Sequence, residues 1–296
     1  MTHDFEAIIV GGSYAGLSAA LQLARARRRI GVIDAGRRRN RFATASHGFL
    51  GQDGRAPSDI VADAKAQLLA YDNVSWVDGQ ALRAEQRGDG FAVTLDGREL
   101  TARRLVLATG VVDELPAVEG LAERWGRSVF HCPYCHGYEL QQGSIGVLAT
   151  GESSLHQAML LPDWGRTTLL LNGAFTPDAA QQAALAARGV AVEATPVTRI
   201  AGAADVELRD GRRLTLAGLF VATRVGMASP LAEQLGCEFD ESPAGPFIRR
   251  DAMAATTVPG VFACGDAARP FGNVAMAVGD GALTGAATHR SLIPGL

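Results

Sequence analysis

Three features of the sequence predict an α/β protein of two Rossmann-like domains, each in three-layer ββα form, with the second inserted into the first. The opening stretch reads as strand (5–10), tight turn (11–16), Ala/Leu-rich helix (17–26) and strand (30–34), a βαβ unit that implies a parallel sheet. The same plan returns at 144–149 (strand), 154–161 (helix) and 167–171 (strand). After Pro246 the chain offers only a short strand at 261–263, a Gly265-Asp266 turn and a helix through about Thr288. That tail is too poor in elements to stand alone, so it completes the first domain. The expected division is 1–113 plus 240–296, with 114–239 as the insertion, and 296 residues suit two domains.

The remaining segments fit this plan. Residues 57–71 have helical spacing, with Ile60, Val61, Ala64, Leu68 and Leu69 on one side. Residues 74–107 read as short alternating strands with turns at Gly88-Asp89-Gly90 and Asp96-Gly97, an antiparallel meander. A second meander follows at 190–221, turning at Asp210-Gly211.

Composition narrows the function classes. A net charge of −3 argues against a dedicated nucleic-acid binder. No apolar run approaches the ~20 residues of a membrane span, and the N-terminus has no basic-then-apolar leader. Four cysteines, two of them three apart, do not make a secreted disulfide scaffold, so a cytoplasmic location is expected. The arginine run from Arg25 to Arg41 reads as a solvated face, with the alternative that one or two of these arginines line an anionic cofactor.

Four motifs carry the chemistry. In Gly11-Gly12-Ser13-Tyr14-Ala15-Gly16, a glycine turn leaves a strand and enters a helix, so that backbone N–H groups approach a pyrophosphate at the positive end of the helix. Ser13 replaces the usual middle glycine. Asp34 closes the next strand, where an acid suits an adenosine ribose. Asn40, Arg41 and Ala81 are further cofactor-side candidates. A second apolar strand, 105–108, ends in Thr109-Gly110, and a third, 260–264, ends in Gly265-Asp266. The last motif is Cys132-Pro133-Tyr134-Cys135-His136: a Cys-x-x-Cys pair can close a small disulfide and release one thiolate as nucleophile. A zinc half-site would need a second Cys/His pair, and Cys237 and Cys264 are isolated and read as buried small apolar residues.

In this order the motifs resemble the low-molecular-weight thioredoxin reductases over essentially the whole chain. The resemblance implies FAD as cofactor, Asp266 on the ribityl chain, Cys135 facing the flavin and Cys132 exchanging with substrate. It also implies a homodimer. Asn273 and Val274 stand where the family has a helix N-terminus that stabilises negative charge on reduced flavin.

Two departures shift the expected activity. Thioredoxin reductases carry aspartate after the second cysteine; here it is His136, which can take and return a thiol proton near neutral pH, with Glu139 expected to orient it. The string Cys-Pro-Tyr-Cys-His-Gly-Tyr-Glu is similar to a dithiol oxidase subgroup that closes disulfides in small molecules such as holomycin and gliotoxin, passing electrons to oxygen. The inserted βαβ turn, Ala149-Thr150-Gly151-Glu152-Ser153-Ser154, keeps only its central glycine, and the following Leu171-Asn172-Gly173 has no cation for a 2′-phosphate. Together these changes weigh against efficient use of NADPH. The leading expectation is therefore oxidation of a small-molecule dithiol. The competing readings are an NADPH-dependent reductase with a thioredoxin-like protein partner, and a non-catalytic flavin redox sensor. His156 reads as a surface or capping residue.

Overall fold

A computed structural model describes residues 3–295. Along the chain run β1 (Phe5–Val10), α1 (Tyr14–Arg25), β2 (Ile30–Asp34), α2 (Pro57–Leu69), β3 (Val74–Asp78), β4 (Arg83–Arg87), β5 (Gly90–Leu95), β6 (Arg98–Leu107) and β7 (Val111–Glu114). Then follow β8 (Val129–Phe130), α3 (Pro133–His136), β9 (Gln142–Leu148), α4 (Ser154–Leu160), β10 (Gly165–Leu170), α5 (Ala179–Ala187) and β11 (Ala191–Glu193). The last third holds β12 (Val197–Ala201), β13 (Asp205–Leu208), β14 (Arg213–Leu214), β15 (Gly218–Val221), β16 (Arg224–Met227) and α6 (Leu231–Gln234). It closes with β17 (Phe239–Ser242), β18 (Gly245–Ile248), β19 (Val261–Ala263) and α7 (Val274–Ser291).

The chain forms two units, one of residues 1–41, 56–112 and 225–296, the other of 42–55 and 113–224. In the first, the sheet order is β3-β2-β1-β6-β5-β4, with β19 also paired to β6. β1, β2, β3, β6 and β19 are parallel, whereas β4, β5 and β6 form the antiparallel meander. The meander thus begins at 83, not 74, because β3 pairs in parallel with β2.

The period-2 pattern of the parallel strands explains both packed faces. Ala7, Ile9, Ile30, Val32, Val106 and Phe262 pack towards the helices with Leu17, Leu23 and Leu68. Ile8, Val10, Ile33, Leu105, Leu107, Val261 and Ala263 pack towards the meander with Phe91 and Val93. Strands buried on both faces read as continuous apolar runs, as these do. Leu231, Ala232 and Cys237 join the second of these cores, so 225–239, assigned from sequence to the insertion, packs with the first unit. Helices α1 and α7 approach closely enough that a Cβ on Gly281 would lie 2.1 Å from the Ala15 carbonyl oxygen, and one on Gly285 2.4 Å from that of Ala19. The Ala/Gly richness of both helices follows from that approach.

The second unit repeats the plan. Its parallel sheet has the order β11-β10-β9-β15-β8, and β12-β13-β14 form a separate antiparallel sheet. Ile145, Val147, Leu169 and Phe220 pack against Ala158, Leu161 and Leu185 of the helical side. Leu148, Leu170, Leu219 and Val221 pack against Ile200, Val206 and Leu208 of the meander. No helix among the described residues is long and apolar enough to cross a membrane.

Candidate active site

The glycine turn after β1 is fixed by steric contact with the end of the neighbouring strand β6. A Cβ on Gly11, whose φ is +108°, would lie 2.2 Å from the Ala108 carbonyl oxygen; one on Gly16 would lie 1.7 Å from the Gly11 oxygen. Only glycine fits either place. Ala15 lies against Gly265, where a Cβ would come within 2.9 Å of the Ala15 Cβ. The motifs at 11–16, 105–110 and 260–266, far apart in sequence, therefore meet at the edge formed by the carboxyl ends of the neighbouring strands β1, β6 and β19. Asp34 Oδ1 accepts the Gly12 N–H at 3.1 Å, and its Oδ2 takes no hydrogen bond from a described residue. Gly110 has φ +69°, and its carbonyl accepts the Ala228 N–H at 3.3 Å. Ser13 is the residue before α1, and its side chain makes no capping hydrogen bond to the helix.

The segment after β2 returns to this turn. Asn40 Nδ2 donates to the Tyr14 hydroxyl at 3.1 Å, while Arg41 donates to the Arg38 carbonyl at 2.9 Å. Arg39, one of the arginines in the basic run, pairs with Asp266 at 2.8 Å. Ala81 is buried in the meander-side core, in the same cluster as Val10 and Ile33. At the other end of the motif, Asn273 caps α7, its Oδ1 accepting the Met276 N–H at 2.9 Å, with Val274 as the first helical residue.

One residue that holds this edge together escapes sequence inspection. Asp280 of α7 has a side chain only 1% exposed. Its Oδ2 accepts the Gly265 N–H at 2.8 Å, and its Oδ1 accepts Arg250 at 2.6 Å and Arg269 at 3.0 Å. A lone acid in an Ala/Gly-rich helix is the only signal that could have marked it. Behind it, the Cys264 thiol is pushed up to about 12 by complete burial, and burial also raises the Cys237 thiol.

In the second unit, Cys132 and Cys135 are joined as a disulfide with Cα atoms 5.3 Å apart. Pro133 opens the one-turn α3, where a missing N–H is harmless, and Cys132 is the residue before it. His136 stacks on Phe130 of β8, ring centres 4.3 Å apart. Burial pulls the His136 imidazole below its ordinary proton affinity; Glu139 opposes that shift and His47 adds to it. The neutral, proton-accepting ring is therefore the dominant form at neutral pH. Glu139 was expected to orient His136; its carboxylate meets His47 at 3.5 Å.

A second histidine, His131, precedes the pair. Gln157 Nε2 donates to its carbonyl at 2.6 Å. The buried Thr223 hydroxyl donates to Asp113 Oδ1 at 2.9 Å and lies 3.4 Å from His131 Nδ1. With the single hydroxyl proton committed to Asp113, that contact requires Nδ1 to be the donor. Tyr134, 70% exposed, stands edge-on to Trp164 with ring centres 5.2 Å apart.

The chain matches the pyridine nucleotide-disulphide oxidoreductase family over residues 5–281. It belongs to that family. Among curated relatives, thioredoxin reductase tcpT of Claviceps purpurea is 33% identical over 98% of this chain and 95% of its own. An oxidoreductase from Agrobacterium tumefaciens of known crystal structure is 58% identical, with a TM-score of 0.95 over 97% of this chain and 98% of that one. The crystal structure of HlmI is 35% identical, with a TM-score of 0.92 over 99% of this chain and 94% of that one.

This oxidoreductase is an FAD-dependent family member, and its residues fit the cofactor. Arg38 Nε and Asn40 Oδ1 are buried polar atoms without a hydrogen-bond partner among the described residues. Such groups are costly unless a ligand satisfies them. They lie on the segment that follows Asp34 and reaches back to Tyr14.

The second nucleotide-type turn differs. The Thr150 N–H donates to the buried Ser154 hydroxyl at 3.0 Å, and the Thr150 hydroxyl donates to the Ala222 carbonyl at 2.7 Å. The turn is thus tied up by its own side chains. At the end of β10, Asn172 has φ +47° and spends its Oδ1 on the Val197 N–H at 2.9 Å. Nearby cations are matched by acids: Arg212 with Glu193 and Asp210, Arg199 with Glu207, Arg188 with Asp163. The Arg212 contact holds the Glu193 carboxyl down to about 2. His156 is an exposed residue of α4.

Proposed function

We propose that this oxidoreductase converts small-molecule dithiols to disulfides with oxygen as the electron acceptor. The observation that carries the reading is the partly desolvated His136, stacked on Phe130 beside a formed Cys132–Cys135 disulfide. A ring held neutral at the disulfide is a base suited to accepting protons from incoming thiols. The self-closed turn at Thr150 and the acid-matched arginines of the second unit support a donor other than NADPH.

In this reading His136 takes the proton from one substrate thiol, whose S–H bond breaks. The thiolate attacks the Cys132 sulfur; the Cys132–Cys135 bond breaks and its electron pair leaves on Cys135. The second substrate thiol loses its proton in turn and attacks the first substrate sulfur, releasing Cys132. The substrate has lost two electrons and two protons, and the cysteine pair has gained the two electrons. FAD, when bound, supplies the two-electron link from the cysteine pair to oxygen, which with two protons becomes peroxide. Gly11, Gly12, Ser13, Ala15 and Gly16 would cradle its pyrophosphate with Asn40 and Arg41. Asp34 would hold the ribose, and Ala81, Thr109, Gly110, Gly265, Asp266, Asn273 and Val274 would line the remainder.

Anaerobic mixing of the flavin-loaded protein with dithiothreitol and, separately, with NADPH tests the reading. Bleaching of the flavin band by the dithiol alone, with recovery in air and peroxide formed, is the expected result. Rapid bleaching by NADPH would overturn it in favour of a reductase. Bleaching by neither would leave only a sensor.

A further inference from the structure

The loop at 42–55, far from the cysteine pair in sequence, belongs to the same unit. It is a closed structure: Ser46 and Arg55 form an antiparallel bridge, the Gly54 N–H donates to the Ser46 carbonyl at 2.9 Å, and the Gly48 N–H donates to Asp53 Oδ1 at 2.7 Å. Gly48, Gly51 and Gly54 all have φ between +74° and +79°, left-handed turns that shape it. Arg55 donates to Gln52 at 2.7 Å within the same loop.

The loop delivers His47 to the disulfide region with a carboxylate at each ring nitrogen. Nε2 lies 3.5 Å from Glu139 Oε1 and Nδ1 lies 3.7 Å from Asp53 Oδ1. Both His47 and Glu139 are close enough to His136 to shift its proton affinity, in opposite senses. Side-chain exposure is 42% at Glu139, 22% at His47 and 68% at Asp53, so Asp53 is the member of the three most open to solvent.

Dithiol oxidation sheds two protons per turnover at His136, whose surroundings disfavour its charged form. The ring must lose each proton before it can serve again. Carboxylates, with ordinary pKa values near ~4, hold a proton poorly at neutral pH, whereas an imidazole near ~6.5 both takes and gives one. Apart from His136 itself, His47 is the imidazole in the group His136, Glu139, His47 and Asp53.

We propose that His47 is a proton-relay residue, passing protons received at His136 by way of Glu139 to Asp53 and solvent. This rests on the reading of His136 as the thiol base. His47 touches neither sulfur nor cofactor in this role; it acts through His136. The relay serves equally if the exchange runs in reverse, with protons moving inward to His136.

The test measures the anaerobic rate of flavin bleaching by dithiothreitol in the holoenzyme at low buffer concentration near pH 7. His47→Ala should slow it by about tenfold, below the ~10²–10⁴-fold typical of a direct acid–base group. Added imidazole should restore the rate in the variant and leave the wild type unchanged. His47→Gln, which retains bulk and hydrogen bonding without titrating, should show the same loss. An unimpaired His47→Gln, or a loss that imidazole does not relieve, would overturn the relay. Oxygen is absent from this half-reaction, so a wild-type enzyme that bleaches but fails to recover in air removes the oxidase assignment while the His47 result still decides the relay.

Discussion

Asp280→Ala is the perturbation whose size follows most directly from the structure. The side chain is 1% exposed and takes three hydrogen bonds. Removing it strands the Gly265 N–H, a buried donor, at a cost of about 1–3 kcal/mol. Arg250 is 13% exposed and keeps its bond to the Ala263 carbonyl at 3.0 Å, but loses its counter-charge. Breaking a buried pair from one side costs about 3–5 kcal/mol. Arg269, at 35%, can turn to solvent and contributes little. These contributions overlap, so a total loss of about 3–5 kcal/mol is expected, and part of it falls on the turn that carries Asp266. Chemical denaturation followed by flavin fluorescence reads both effects: the first unit should unfold at lower denaturant, and flavin should leave before the unfolding transition. Asp280→Asn, which keeps an acceptor for Gly265, should lose less. Wild-type stability and flavin retention in Asp280→Ala would refute the claim that this carboxylate anchors the Gly265-Asp266 turn.

Other expectations concern both units. The acid limb of the flavin-bleaching rate should lie below ~6.5, the ordinary histidine value, because burial depresses the proton affinity of His136. Glu139→Gln removes an influence that raises it and should move the limb to lower pH, whereas Phe130→Leu, by admitting water, should move it up. The same depression makes the folded state bind fewer protons than the unfolded chain, so the contribution of His136 to stability is present above ~6.5 and is lost as pH falls through that value towards its folded pKa. Gly16→Ala places a Cβ 1.7 Å from the Gly11 oxygen and forces the turn apart. Purified protein should then retain little flavin, with affinity down at least about tenfold, ~1.4 kcal/mol. Thr223→Val preserves shape but removes the hydroxyl that contacts both Asp113 and His131. It should cost about 1–3 kcal/mol in the second unit while flavin content stays unchanged.

Much of this was legible in the linear chain. The strands β1 and β2 appear at the positions their apolar runs indicate, because strands buried on both faces leave an unmistakable signature. The glycine motif, the Gly-Asp turn and the cysteine pair were legible because backbone close approach and thiol chemistry admit few substitutes. β3 was misjudged as meander: a single edge strand has the same residue pattern whether its partner runs parallel or antiparallel. His47 and Asp280 left no trace, since nothing periodic links a loop histidine to a pair 85 positions away, or an acid to an amide on the preceding turn. The stretch 225–239 packs with the first unit through Leu231, Ala232 and Cys237, and apolar residues alone do not declare which of two cores they enter.

The burial of Cys237 and Cys264 has a consequence for how the molecule stores electrons. With one thiol at about 12 and the other raised by its surroundings, neither supplies a thiolate at neutral pH to attack a neighbouring disulfide. The folded chain therefore offers thiol reagents a single two-electron couple, Cys132 and Cys135. A maleimide titration of the reduced, native protein should count two sulfurs, and unfolding should uncover the other two. Isolating the couple in this way keeps a mixed disulfide with substrate from being diverted within the chain, so the only exits open to it are the substrate's second thiol and Cys135.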